Sequence, residues 1–247
     1  MAGRVRQGNG TMKIRAHAGA ERRRRAILAT ARDMLNREPL SMRRLAEAAG
    51  VSQATPYNLF GSKRQLFVAL YAQQREEMVA RLTASRHPHA FSRMFHAIHL
   101  FGRELSAEPT FFRSLFAIIY AGDPEDTAQR DIEPGAAFWL ELVEALHREK
   151  LIRASVNPDS FTANFVYLLS GATIDWVNNR VDVRQWETIV GYGLALAGLA
   201  VATETIRPEL EERLRTYEEK LAGYRLSEDG RPRNDAACRA PAQSAVG

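Results

Sequence analysis

Between residues 41 and 60 (SMRRLAEAAGVSQATPYNLF) the chain gathers side chains suited to reading a nucleic-acid duplex rather than to breaking bonds. Gln53 and Asn58 carry amides that can pair with base edges. Ala54 and Thr55 can touch a thymine methyl, and Tyr57 can reach a phosphate. Ser52 stands where a helix cap belongs, and Arg43 with Arg44 opens the preceding segment as a backbone clamp. Lys63 falls in the first turn of the following helix, where free amides and the helix dipole already favour an anion.

Other chemistry-bearing constellations are weaker. His87, His89, His96 and His99 cluster, but no carboxylate or cysteine at ligand spacing completes a metal site. Gly191-x-Gly193 with Gly198 has some of the glycines of a dinucleotide fingerprint, yet no strand precedes it. Serines, histidines and aspartates occur at no spacing that makes a catalytic triad, and there is no P-loop or nucleophile elbow. The reading therefore assigns no catalytic residue, no metal and no cofactor.

The elements that must position residues 41–60 are helical. Residues from Glu21 carry an apolar face of Ile27, Leu28, Ala31, Met34 and Leu35, ending before Pro39. A short helix from Ser41 as N-cap to Ala49 places Met42, Leu45, Ala46 and Ala49 inward, and Gly50 breaks it in the left-handed conformation that a tight turn needs. Ser52 caps a third helix that reaches Phe60, with Leu45, Ala49, Val51 and Leu59 locking the pair. Ser62 and Gln65 then open a long helix to about residue 85 with a capping-box pattern. The pattern is that of a helix-turn-helix.

This stretch resembles the tetracycline-repressor-like (TetR) family of bacterial regulators. The residues that carry the resemblance are Arg43 to Ser52 (RRLAEAAGVS), Thr55-x-Tyr57, and Phe60-x-x-Lys63-x-x-Leu66. The resemblance implies an N-terminal DNA-binding head on a larger helical body, a near-palindromic duplex operator, a homodimer and a small-molecule effector. Pro56 departs from the family, which has a leucine-like residue there. With Ser52 as cap, Pro56 would be the fourth helical position and lack the amide that bonds back, predicting a distorted first turn.

The charge supports a two-part chain. Residues 1–67 hold 14 Lys+Arg and 4 Asp+Glu, a net of +10, whereas residues 68–247 hold 20 and 25, a net of −5. A basic head on an acidic body calls for a polyanion at one end. The expected organisation is a disordered basic arm over 1–20, the head over 21–68, a helical body over 69–224 and a disordered tail over 225–247. The fold class is all-α, with residues 122–134 as a loop and no strand. The longest uncharged apolar run, residues 188–203, falls short of the about 20 residues a membrane span needs. With the lone Cys238 it fits a cytoplasmic protein.

Two further sites are expected in the body. The helix beginning at Val183 is apolar almost all round and rich in small residues, which points to close burial. The family resemblance makes it and its predecessor the dimer seam, through Gly171, Gly191, Ala195, Gly198 and Ala202. Nine of the 21 aromatics fall between residues 91 and 142, a concentration that suits an apolar effector pocket. Its expected lining is Phe95, Phe112, Phe116, Tyr120 and Trp139, with His99, Arg103, Asn164 and Asp175 as polar contacts.

Overall fold

Apolar side chains spaced three and four apart wind this chain into helices. The computed structural model describes residues 8–37, 40–121, 135–222, 224–226 and 232–234. Among them lie ten helices: α1 (Gly8–Leu35), α2 (Met42–Ala48), α3 (Ala54–Phe60), α4 (Lys63–Ala84), α5 (Ala90–Ala107), α6 (Pro109–Tyr120), α7 (Ala136–Arg148), α8 (Pro158–Val177), α9 (Val183–Val201) and α10 (Arg207–Leu221). Two three-residue strands, β1 (Tyr224–Leu226) and β2 (Pro232–Asn234), pair antiparallel, with Arg225 opposite Arg233. The class is all-α, as the periodicity implied.

Side-chain caps open four of the helices, α4, α5, α8 and α9. The Ser62 hydroxyl accepts from the Gln65 amide at 3.1 Å ahead of α4, and Asn157 Oδ1 accepts from Ser160 at 2.8 Å ahead of α8. Asp182 and Gln185 exchange two bonds of 2.8 Å, the capping box of α9. Ser41, expected as a cap, is not one of these caps. Its backbone is extended as a cap requires, but its side chain makes no capping bond.

Two expectations about order are corrected, and a third falls outside the described residues. The arm expected to be disordered over 1–20 is helical from Gly8, because Met12, Lys13, Arg15, Ala16, Ala18 and Ala20 are good helix formers that simply extend α1. The expected tail contains the β1–β2 hairpin, a strand pairing too short to show as an alternating pattern. The expected loop over 122–134 lies outside the described residues.

The chain divides into two packing units. The first takes α1, α2, α3, the N-terminal half of α4 and α6. Ile27, Ala31 and Leu35 of α1 bury with Leu45 and Ala46 of α2 and Leu66, Phe67 and Leu70 of α4. Each leucine, isoleucine and phenylalanine among them contributes about 1.5–3 kcal/mol of burial. Helix α6 belongs here for physical reasons. Tyr71 meets Phe116 edge-on at 5.3 Å, the Arg32 guanidinium lies 4.8 Å over the Phe111 ring, and Arg64 Nε donates to the Ile119 carbonyl at 3.4 Å. The body expected over 69–224 thus gives up α6 to the head.

The second unit takes the rest of α4 with α5, α7, α8, α9 and α10. Helix α9 packs against α5, α8 and α10, and α7 packs on α5 and α8. Its centre is Trp176 and Trp186, both fully buried. The Trp186 indole donates to the Thr173 hydroxyl at 3.1 Å, and that hydroxyl donates to the Leu169 carbonyl at 2.7 Å, so the polar groups are satisfied in chain.

Candidate nucleic-acid interface

The turn between α2 and α3 is built around Gly50, whose φ of +64° is one a side chain would strain. The Val51 amide donates to the Ala46 carbonyl at 3.0 Å and closes the turn. Leu45 and Ala46 are wholly buried beneath it. Ala49, Val51 and Leu59, expected as the rest of the lock, are only half-buried. Met42, expected inward, is buried, and Pro56 and Phe60 take the place of the other three. The sequence signal for Phe60 was its position four residues after Pro56, on the same face.

Helix α3 starts one residue later than expected, and this rescues Pro56. The Ser52 hydroxyl lies 2.8 Å from the Thr55 hydroxyl, the Thr55 amide donates to the Ser52 carbonyl at 2.9 Å, and helical structure begins at Ala54. Pro56 is therefore the third helical residue, where an amide has no intrahelical partner. Its missing N–H removes no bond, and the expected distortion does not arise.

With Pro56 and Phe60 turned inward, Gln53, Ala54, Tyr57 and Asn58 are turned out. Tyr57 is 52% exposed, an aromatic side chain open to solvent on a seven-residue helix. Ser52 is exposed and Thr55 half-buried. Arg43 and Arg44 are exposed on α2, with Arg43 Nε bonded to Glu47 at 3.1 Å one turn on. Lys63 is half-buried at the start of α4, its ammonium 5.9 Å from the Phe67 ring centre. All nine expected contacts lie in the first unit, and none is among its fully buried side chains.

The expected seam residues fare differently. Gly191 lies directly beneath the Tyr217 ring, Gly193 beneath the Leu168 side chain, and Gly198 beneath Phe91 and Leu210. Ala195 is wholly buried, and Ala202 pairs with Ile152 in an isolated bridge. The small residues of α9 make room for this chain's own α5, α8 and α10. Of the five, only Gly171 is open, with nothing within 4 Å of where a side chain would start. It lies between Tyr167, 74% exposed, and Ile174, 38% exposed, on one stripe of α8. Leu196 of α9 is 51% exposed. These apolar side chains are what sequence reasoning missed. The signal was a tyrosine, glycine and isoleucine at i, i+4 and i+7.

The expected effector lining is also divided. Phe112, Phe116 and Tyr120 stack in succession on α6 in the first unit, at 6.1 and 5.7 Å between ring centres. In the second unit, Trp139 packs edge-on against Phe165 at 4.9 Å. Phe95 is covered by Tyr217 at 6.2 Å and by the Arg213 guanidinium at 4.4 Å. The expected polar contacts do not join these rings. His99, Arg103 and Asn164 are exposed, His99 Nδ1 lies 2.9 Å from Glu187, and Asp175 accepts from Arg180 at 2.9 Å. Sequence periodicity missed Thr162 instead. Its hydroxyl is buried without a hydrogen-bond partner, one turn before Phe165 on α8. Arg103 helps line a shallow groove of about 300 Å³ with Gly102, Val183, Arg184 and Glu187.

No group of three or more metal-ligating side chains able to hold an ion occurs among the described residues. No helix among them is long and apolar enough to cross a membrane.

Residues 27–70 match the family described as "Bacterial regulatory proteins, tetR family". Solved structures share the fold at low identity. A TetR transcriptional regulator from Rhodococcus sp. RHA1 is 18% identical with a TM-score of 0.57, covering 72% of this chain and 96% of its own. The transcriptional repressor QsdR of R. erythropolis is 19% identical with a TM-score of 0.54, covering 74% and 97%. FadR of Thermus thermophilus, a TetR-family repressor solved with lauroyl-CoA, is 18% identical with a TM-score of 0.53, covering 79% and 93%. A search of curated proteins finds no match.

Proposed function

We propose, on the match of residues 27–70 to the tetR family of bacterial regulatory proteins, that the chain is a homodimeric repressor that reads a near-palindromic operator and is released by a small, largely apolar effector. The observation that carries the DNA half is the outward face of α3, where Gln53, Ala54, Tyr57 and Asn58 stand exposed while Pro56 and Phe60 hold the helix from behind. Those four fill the first turns of the helix that would enter the major groove. Arg43, Arg44 and Lys63 are the backbone contacts beside it. A two-fold operator needs two heads, and the exposed stripe of Tyr167, Gly171 and Ile174 with Leu196 supports a seam between two copies along α8 and α9.

The effector half of the reading rests on Trp139 and Phe165, an aromatic wall in the second unit, and on the unpartnered Thr162 hydroxyl as the polar contact. The lauroyl-CoA held by the Thermus thermophilus neighbour supports an acyl or similar apolar ligand. A ligand that favours one arrangement of the body by about 1–3 kcal/mol changes operator occupancy several-fold or more. Nothing in this reading requires a catalytic step.

The test is selection of bound duplexes from a random pool, followed by titration of variants. Lys63→Ala should weaken binding to selected and random DNA alike, whereas Gln53→Ala should change preference at particular base pairs by about 1–3 kcal/mol. A purified protein that enriches no sequence at any salt concentration would overturn the reading. An operator complex indifferent to acyl, aromatic and cationic compounds would leave a ligand-independent DNA-binding protein instead.

A further inference from the structure

We propose that the basic run midway along α1, Arg22, Arg23 and Arg25, is a second DNA-binding surface: a cluster of charge that binds duplex phosphates beside the groove read by α3 and lengthens the footprint of each half-site. The inference rests on the DNA-binding reading above and adds to it a surface that base recognition does not need.

Helix α1 runs 28 residues without a break, and over the side chains described from Gly19 on, its buried stripe begins only at Ile27. The upstream residues 8–26 add about 28 Å of helix at 1.5 Å per residue. They carry Lys13, Arg15, Arg22, Arg23, Arg24 and Arg25 against a single acid, Glu21. Residues 19–26 bury no apolar stripe and so gain no stability from a core. The four successive arginines also repel one another, and the Arg25–Glu21 pair at 3.5 Å is surface-exposed and worth little. An element so charged is held at a cost that a polyanion would remove.

The geometry says which polyanion. Arg24 is the one arginine of the four that is turned to the head. Its Nη1 donates to the Leu59 carbonyl at 3.0 Å, and its guanidinium lies 4.5 Å over the Phe60 ring. It rivets the basic run to the last turn of α3. Arg22, Arg23 and Arg25, all exposed, therefore flank the recognition helix, and a duplex seated on α3 passes beside them. An anionic membrane would attract the same charges, but a surface-bound helix also needs an apolar face to bury, and residues 19–26 offer none. A phosphate backbone needs charge alone.

Binding to phosphates carries no base information, so it leaves a distinct signature. In the full-length chain, Arg22→Ala/Arg23→Ala/Arg25→Ala should weaken selected and random duplexes by the same factor. The slope of log affinity against log salt should become shallower by about 0.9 for each phosphate that is no longer neutralised. Hydroxyl-radical protection should retreat from the flanks of the operator while the selected motif stays unchanged. The triple lysine variant should restore slope and footprint, since it keeps the charge. An alanine triple with wild-type slope and footprint would overturn the proposal and leave the reading of α3 intact. So would a lysine triple as weak as the alanine one, which would make these arginines structural. A wild-type protein that selects no duplex at all would sink both.

Discussion

Pro56 shows how much depends on a single helical position. At the fourth residue of a helix it would remove a bond; at the third, where α3 places it, the same ring removes none and adds a buried apolar surface. Its pyrrolidine also restricts the unfolded chain. Pro56→Ala should therefore destabilise the head, by about 0.4–1 kcal/mol through unfolded-state entropy plus the lost burial. Urea unfolding followed by circular dichroism measures this, and a more stable variant would show that Pro56 strains α3. The same residue-scale logic applies to Gly50. Its positive φ sets the angle at which α3 leaves α2, and so decides which of residues 53–58 face out.

At the scale of the element, α9 carries two kinds of surface that a sequence cannot separate. Its glycines and Ala195 face this chain's own α5, α8 and α10, whereas Leu196 faces solvent. A Cβ at position 198 would come within 2.9 Å of Phe91 and 3.3 Å of Leu210. The overpacking costs about 1–3 kcal/mol, against the roughly 0.8–1.0 kcal/mol that alanine gains over glycine in a helix. Gly198→Ala should thus lower the unfolding midpoint without changing the oligomeric state. Tyr167→Arg with Leu196→Arg should do the reverse, leaving the fold intact and yielding monomers in sedimentation velocity. A double-arginine variant that remains dimeric would move the proposed seam off α8 and α9.

For the molecule as a whole, stability should depend on pH through the second unit. The His87 and His96 rings lie 4.8 Å apart, tilted by 58°, and His96 meets His99 at 6.3 Å. Burial, then the charges of His87 and His99, hold the His96 imidazole below the ordinary 6.5. Because the folded value is the lower one, the unfolded chain takes the proton first. The contribution of neutral His96 is complete above 6.5 and is lost as pH falls through the depressed folded value. Glu209 follows at lower pH. Burial by itself would raise its carboxyl, but hydrogen bonds from His89 and Arg213 outweigh burial and hold it below the ordinary 4.5. That contribution is present above 4.5 and disappears as pH falls through the folded value. The denaturation midpoint should therefore decline in two steps, and His96→Asn should flatten the first while sparing the second. A wild-type midpoint unchanged between about pH 7.5 and about pH 5.5 would remove His96 from this account.

Local chemistry made part of this protein legible from its sequence. Helix periods, the caps at Ser62, Asn157 and Asp182, the glycine of the turn and the outward set around Gln53 are decided by residues within a few positions of one another. The charge split between head and body is likewise a property of the chain. Tertiary structure decided the rest. Only packing shows that α6 joins the head, since its aromatic stripe would suit any apolar neighbour. Only packing gives the glycines of α9 to Tyr217, Phe91 and Leu210, because a small residue records that something approaches closely and not what it is. Hydrophobic burial is non-directional, so a sequence fixes which faces must be covered while the folded chain alone determines by what.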